Sequence, residues 1–174
     1  GFYVQGAIPV KVGVPSEQIY FYDNTAVNNG GAFYVGGGNV TVTNGFLGKE
    51  GAPNIAQAGN GGAIYLNKGN ITFSGGSMSY NKAQKAATGT TTGMGGAVYV
   101  NSGDITIDGG TVQKNHAERN GGAVYANGGS TTIKGGKVTY NTADIDGGAM
   151  YLNGNLTFDS GTLANNTASN NGGG

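Results

Sequence analysis

One five-residue pattern, Gly-Gly-Ala-apolar-Tyr, recurs along the chain and restricts its possible folds more than any other feature. The copies begin 31, 34, 26 and 26 residues apart, at Gly30, Gly61, Gly95, Gly121 and Gly147. The segment Gly1-Phe2-Tyr3-Val4 resembles a sixth copy without its first glycines, and Gly172-Gly173 follow the fifth copy after 25 residues. A period of this length indicates a repeat fold in which each copy is one structural unit.

Each unit contains three short segments in which apolar residues alternate with others. Residues 63–66, 71–73 and 112–117 are examples of the first, second and third segment. Alternation with a period of two predicts β-strands with one buried face. The apolar spacing of three and four residues that a helix needs is missing.

Strands this short cannot bury a face alone, but they can when every unit forms one coil and stacks on the next at about 4.8 Å. The sequence therefore predicts an all-β fold: a right-handed, single-stranded parallel β-helix (β-solenoid) of about six turns with three short strands per turn. We expect one domain over residues 1–174, with repeats at about 1–29, 30–60, 61–94, 95–120, 121–146 and 147–171.

Stacking of equivalent residues predicts which side chains form the core. We expect inward columns in all three strands, namely Phe33, Ile64, Val98, Val124 and Met150; then Val42, Phe73, Ile107, Ile133 and Phe158; then Phe21, Met78, Val112, Val138 and Leu163. Fully burying such side chains contributes about 1.5–3 kcal/mol each.

The composition argues against several kinds of partner. The 9 basic and 9 acidic residues give no net charge, and Arg119 is the single arginine, so nucleic acid is not an expected partner. Cysteine is absent, which removes disulfides and thiolate metal sites. No apolar run reaches the roughly 18 residues of a membrane span. We expect no cofactor and no metal.

Asparagine forms a further column at one corner of the predicted coils. Asn adopts the left-handed backbone region readily, and its amide can bond the amide one turn away. We interpret this column as a structural ladder rather than a binding site: Asn24, Asn54, Asn81, Asn115, Asn141 and Asn166.

A tyrosine column is expected on the outer face, because the strand neighbours of these residues point inward. Stacking along a parallel sheet is one role for such a column. The other role is an interaction surface for sugars or for another subunit. The members are Tyr3, Tyr34, Tyr65, Tyr99, Tyr125 and Tyr151.

Four Asn-x-Thr sequences would be glycosylation acceptors in a secreted protein of a host that permits this modification. They begin at Asn39, Asn70, Asn155 and Asn165.

No group of residues predicts a catalytic site. Enzymes that degrade polysaccharides need several carboxylates in one groove with calcium or basic residues. Asp104 and Asp108 flank one second strand. The column through Asp108 continues as Lys134 and Asp159, which favours an alternating ion ladder between turns, with exposed pairs of about 0–1 kcal/mol.

The remaining titratable candidates are interpreted as surface residues. Asp144 and Asp146 lie in a short corner, and His116 is the single histidine. A site formed by His116 with Glu118 and Arg119 is the weaker alternative. Two insertions, between Phe46 and Asn54 and over residues 84–94, are the predicted locations for a specialised surface.

The repeated motifs resemble a known family. Gly61-Gly62-Ala63-Ile64 and its equivalents, together with Phe21-Tyr22-Asp23-Asn24, are similar to the repeats of chlamydial-type polymorphic outer-membrane proteins and to other adhesin-like β-helix repeats. The resemblance implies a β-helix and a secreted surface passenger or adhesin.

These observations favour a non-catalytic protein of the cell surface, acting as an adhesin passenger, a stalk or a fibre subunit. Its expected partners are further copies of itself, end to end or laterally, and a glycan or protein of a host or neighbouring cell. A carbohydrate-binding module that uses the tyrosine column is the first alternative. A polysaccharide-degrading enzyme is the second.

Overall fold

The computed structural model describes residues 1–89 and 91–174, and within them all regular structure is β-strand. The strands form three parallel sheets that extend along the axis of a β-solenoid of about six turns. The described part of the chain contains no helix with the length and apolarity needed to cross a membrane.

Sheets 1 and 3 each take one strand from every coil. The strands of sheet 1 are Phe2–Ala7, Phe33–Gly37, Ile64–Leu66, Val98–Val100, Val124–Ala126 and Met150–Leu152. The strands of sheet 3 are Thr25–Ala26, Ile55–Ala56, Lys82–Ala83, His116–Ala117, Thr142–Ala143 and Thr167–Ala168.

Sheet 2 takes two strand segments from each coil. In two of the coils the two segments are joined into one long strand, Ile105–Gln113 and Ser130–Thr139. Its members are Val10–Val12, Ile19–Phe21, Val40–Val42, Gly45–Leu47, Ile71–Phe73, Gly76–Ser79, Ile105–Gln113, Ser130–Thr139, Asn155–Phe158 and Thr162–Ala164.

The predicted vertical register is confirmed. Ile64 pairs with Val98, which pairs with Val124 in the next coil. In sheet 2, Phe73 pairs with Ile107, which pairs with Ile133. Equivalent residues therefore stack directly on one another. The prediction of which side chains point into the core and which point outward depends on this stacking.

The core is a continuous apolar column enclosed by the three sheets. Inner coils bury its side chains completely, as with Phe73 at 1% exposure. The outermost coils have a neighbour on one side, and there Phe2 is 56% and Phe158 43% exposed. End-to-end contact between chains stays a prediction.

The third predicted strand is divided in the structure. Val112 lies in sheet 2, whereas Ala117 lies in sheet 3, because the chain turns a corner at Asn115 between them. Leu47 also joins the inward column between Phe21 and Met78, although the sequence analysis assigned it to an insertion.

The corner is held by the predicted asparagine ladder. The amide of Asn115 donates to the side-chain oxygen of Asn141 and to the carbonyl of Met78, both at 2.9 Å. Its oxygen accepts from the backbone and side-chain nitrogens of Asn81, again at 2.9 Å. All four hydrogen-bonding positions of this fully buried amide are thus used, as a buried polar group requires.

The left-handed conformation at this corner belongs to the residue before the ladder asparagine. Asp23, Tyr80, Lys114 and Tyr140 have φ between 54° and 61°. A left-handed backbone is strained for a residue other than glycine. Here the strain is offset because the side-chain amide of the following ladder asparagine reaches the neighbouring coil.

The two glycines of each repeat are required for different physical reasons. The first has a left-handed backbone, with φ of +68° at Gly95. The second has no room for a side chain, because a Cβ on Gly96 would lie 2.1 Å from the carbonyl oxygen of Gly122 in the next coil. The repeated Gly-Gly pair therefore marks a close approach of coil on coil.

We expect Asn115→Ala to lower the free energy of unfolding by about 3–5 kcal/mol. The change leaves the buried backbone nitrogen of Asn81 without its partner and removes the side-chain donor to the Met78 carbonyl, at about 1–3 kcal/mol each. The side-chain nitrogen of Asn81 loses one of its two hydrogen bonds and keeps the one to the Leu47 carbonyl. Asn127→Ala is the control, because that amide is exposed, and it should cost less than about 1 kcal/mol. Urea denaturation of both variants measures the difference, and equal losses would contradict the ladder's role.

We expect Gly96→Ala to destabilise the solenoid by about 3 kcal/mol, because the new methyl group overlaps the backbone of the next coil. Gly135→Ala is the matched control: its Cβ would meet no atom closer than 3.7 Å and its backbone is not left-handed. That substitution should be neutral or slightly stabilising. Thermal unfolding followed by circular dichroism compares the two, and a Gly96→Ala variant as stable as the control would refute the close approach.

Candidate functional site

The predicted tyrosine column forms an uninterrupted stack along the outer face of sheet 1. Successive ring centroids lie 4.9 to 5.1 Å apart, and the ring planes deviate from parallel by 10° or less. The stack contains every predicted member: Tyr3, Tyr34, Tyr65, Tyr99, Tyr125 and Tyr151. Stacking of this kind contributes about 0.5–1.5 kcal/mol per pair.

The ring faces in this stack are covered by one another. Tyr3 is 68% exposed, but Tyr99 and Tyr125 are only 8% and 9% exposed. The inner rings therefore offer no open ring face on which a sugar could stack, whereas Tyr3 at the end of the stack is covered by Tyr34 on one side only. The role of the column as an interaction surface stays a prediction.

Burial changes the acidity of the inner phenols. It raises the pKa of Tyr99 from the usual 10.0 to about 12, and the neighbouring phenols of Tyr65 and Tyr125 contribute in the same direction. The pKa of Tyr65 and of Tyr125 is also raised, again chiefly by burial. These hydroxyl groups are neutral hydrogen-bonding groups at physiological pH.

A second asparagine ladder borders the tyrosine stack, and the sequence analysis did not single it out. Asn153 donates to Asn127 at 3.2 Å, Asn127 donates to Asn101 at 3.5 Å, and Asn101 donates to Asn67 at 3.1 Å. Asn153 also lies 3.4 Å from the Tyr125 hydroxyl. The signal for this ladder was present, since each of these residues directly follows a strand of sheet 1.

The four Asn-x-Thr asparagines are all exposed at corners. The side chains of Asn39 and Asn70 accept hydrogen bonds from the backbone of the following coil, at 3.1 and 2.9 Å. Asn165 has a left-handed backbone with φ of 57°. Glycosylation of these residues, Asn155 included, stays a prediction.

The predicted ion ladder is wrong. The register of sheet 2 shifts after Ile107, so Asp108 pairs with Gly135 rather than with Lys134. Across the described residues, the one close contact between a basic and an acidic side chain is that of His116 and Asp144, whose Nε2 and Oδ1 atoms lie 3.7 Å apart. A change of register within the long strand Ile105–Gln113 displaces charges that the repeat spacing would have aligned.

The other acidic and basic candidates form hydrogen bonds between neighbouring coils. The carboxylate of Asp104 accepts from the backbone nitrogen of Ser130 at 2.8 Å, and that of Asp146 accepts from the Asn171 amide at 2.8 Å. His116 Nδ1 lies 2.9 Å from the Thr142 hydroxyl. In the part of the chain that is described, no group of three or more His, Cys, Asp or Glu residues is placed to hold a metal ion.

The insertion over residues 84–94 lies against the next coil. The carboxylate of Glu118 accepts from the Lys85 backbone nitrogen at 3.1 Å, and the Arg119 backbone nitrogen donates to Gly93 at 2.9 Å. Thr90, within this predicted specialised surface, lies outside the described residues.

The insertion in the second coil contacts the coils on both sides of it. The ammonium group of Lys49 lies 3.8 Å from the ring centroid of Tyr22. The carboxylate of Glu50 accepts from the Tyr80 hydroxyl at 3.1 Å, and that hydroxyl accepts from Lys114 at 2.8 Å.

A groove of about 410 Å³ lies between this insertion and the outer face of sheet 2. Its lining includes Phe46 and Glu50 and the polar side chains of Ser77, Thr111 and Gln113. The insertion that borders the groove was a predicted location for a specialised surface, but its partners Ser77, Thr111 and Gln113 were not predicted, because they come from other coils and do not repeat.

The three sheets and their ladders define the protein as a parallel β-solenoid. Residues 18–36 match the family model described as the Chlamydia polymorphic membrane protein (Chlamydia_PMP) repeat. That segment carries the second motif, from Phe21 to Asn24, and a copy of the first from Gly30 to Phe33 in which Phe33 replaces Ile or Val. The resemblance is therefore confirmed over these residues. No curated protein and no solved structure matches the chain.

We expect Tyr99 to keep its proton at a pH where ordinary tyrosines have lost theirs. Because its pKa is higher in the folded chain, the unfolded chain ionises first, so stability is full below about pH 10 and declines as the pH rises toward about 12. Tyrosinate absorbance and urea denaturation across this range measure both effects. Tyr99→Phe should remove the late ionisation and lessen the decline, whereas ionisation of all 10 tyrosines near pH 10 would contradict the assignment.

Proposed function

We propose that this chain is a non-catalytic structural and adhesive module of a cell surface, displayed outside the cell as a rigid rod. The observation that carries the proposal is the use of the repeated polar residues. The buried ladder amides are fully occupied in holding coil to coil, as at Asn81 and Asn115. Side chains used in this way support a scaffold and are not available for chemistry.

The family match supports the same proposal. The repeat matched by residues 18–36 occurs in a membrane protein family, and its motifs are those of adhesin-like β-helices. A rod of stacked coils suits a surface protein because each coil adds about 4.8 Å of length and an outer face that can vary independently of the core.

An enzymatic function has less support. Catalysis by carboxylates requires two of them around one reacting bond, with environments that separate their pKa values. Asp104 is occupied by a backbone nitrogen of the next coil. His116 approaches Asp144 at 3.7 Å on an open corner, which provides no cleft that excludes water.

The proposed adhesive function predicts binding by the isolated rod. Fluorescent beads coated with the purified chain should attach to cells of a host or neighbouring organism well above the background of uncoated beads. Antibodies against the chain should label intact source cells, since the proposal places the rod outside the cell.

Beads coated with the urea-unfolded Asn115→Ala variant are the control for folding. Apart from that one residue, this variant has the amino-acid composition of the unaltered chain, but its coils are not stacked. Labelling of source cells only after permeabilisation would contradict the surface location. Release of reducing ends from polysaccharides, abolished by Asp104→Ala, would contradict the non-catalytic assignment.

A further inference from the structure

The outer face of sheet 2 carries a second aromatic stack, which stops after two rings. Tyr20 pairs in register with Phe46, and their ring centroids lie 5.2 Å apart with an interplanar angle of 28°. The next two residues of this column are Ser77 and Thr111, and the one after them is Lys137. Small hydroxyl residues thus follow the aromatic rings along the axis.

The end of this stack leaves an open ring face. Tyr20 covers Phe46 from the preceding coil, whereas Ser77, in the following coil, is too small to cover the other face. In the sheet 1 column each inner tyrosine has a ring on both sides. Phe46 is therefore an aromatic platform of a kind that the inner tyrosines do not offer, and it lines the groove of about 410 Å³.

The floor below this platform carries hydrogen-bonding groups on adjacent coils. Ser77 pairs in register with Thr111, and Ser79 pairs with Gln113. Hydroxyl and carboxamide groups both donate and accept hydrogen bonds. They recur once per coil, about every 4.8 Å along the axis.

The charges at the groove indicate an uncharged ligand. The insertion contributes one cation and one anion, Lys49 and Glu50, and each is already engaged with a tyrosine of a neighbouring coil. A phosphate or a sulfated chain would need a surplus of basic groups. Lys114, beside the groove, is likewise engaged with the Tyr80 hydroxyl at 2.8 Å, and Lys137 lies beyond the two hydroxyl coils.

We propose that this groove binds the terminal disaccharide of a neutral glycan. One sugar ring stacks on the open face of Phe46, in the place that a third aromatic ring would occupy, and its hydroxyls bond Ser77, Thr111 and Gln113. Two coils with small hydroxyl residues separate Phe46 from Lys137, which leaves room for a second sugar beside the stacked ring. This inference rests on the proposed adhesive function and gives that function a ligand class.

Binding is tested with the purified chain and a panel of neutral disaccharides: cellobiose, lactose, maltose, mannobiose and diacetylchitobiose. Sialyllactose is the anionic probe. Saturation-transfer NMR should show transfer to one face of a sugar ring for at least one neutral probe. Titration calorimetry should give an affinity that falls about tenfold in Gln113→Ala and in Thr111→Val, since each loses one hydrogen-bonding group.

The decisive variant is Ser77→Phe, which extends the aromatic stack into the place of the sugar. It should abolish binding while leaving the melting temperature unchanged or raised, so lost binding cannot be ascribed to unfolding. Thr106→Val is the matched control, because this threonine belongs to the same sheet but lies outside the groove, and it should bind like the unaltered chain.

Three results would overturn the proposal: no neutral probe bound at millimolar concentration, undiminished binding in Ser77→Phe, or binding of sialyllactose alone. Failure here is separable from failure of the adhesive function. Beads coated with Ser77→Phe that still attach to cells would refute the groove as the adhesive site and leave the adhesive function standing. Loss of sugar binding together with loss of bead attachment would support both.

Discussion

The hydrogen-bonded stacking of one coil on the next is the interaction on which the rest of this structure depends. The asparagine ladder makes it specific, because a buried amide such as Asn81 is satisfied only when Asn54 and Asn115 lie directly before and after it. An unpaired buried amide would cost about 1–3 kcal/mol. The ladder therefore sets the register of all three sheets, and the apolar columns and the close contacts of the second glycines follow from that register.

Two aromatic stacks show how one physical interaction gives different surfaces. In sheet 1 every coil supplies a tyrosine, so inner rings cover one another and their phenols lose water, which raises the pKa of Tyr99 to about 12. On sheet 2 the series of rings ends at Phe46, and small polar residues follow. Residues that repeat hold the rod together, whereas residues that break the repeat form the surfaces where recognition is possible.

The sequence predicted the columns well because direct stacking converts a linear period into a spatial one. Ile64, Val98 and Val124 needed no further information to be placed above one another. Corners and bulges were harder to predict, since either can gain or lose a residue while the apolar alternation on both sides of it is kept. The register shift after Ile107 separated Asp108 from Lys134, and the corner at Asn115 divided the predicted third strand between two sheets.

By itself, the sequence determined the β-solenoid, its inward and outward faces, the first asparagine ladder and the resemblance to polymorphic membrane protein repeats, because all of these are properties of residues that recur. Only the tertiary structure decided that the faces of the inner tyrosines are closed, that the ring stack on sheet 2 ends at Phe46, and that the insertion carrying Glu50 reaches Tyr80 to border a groove. Those features depend on side chains from different coils that share no repeat position. Their contacts arise only when the chain is coiled.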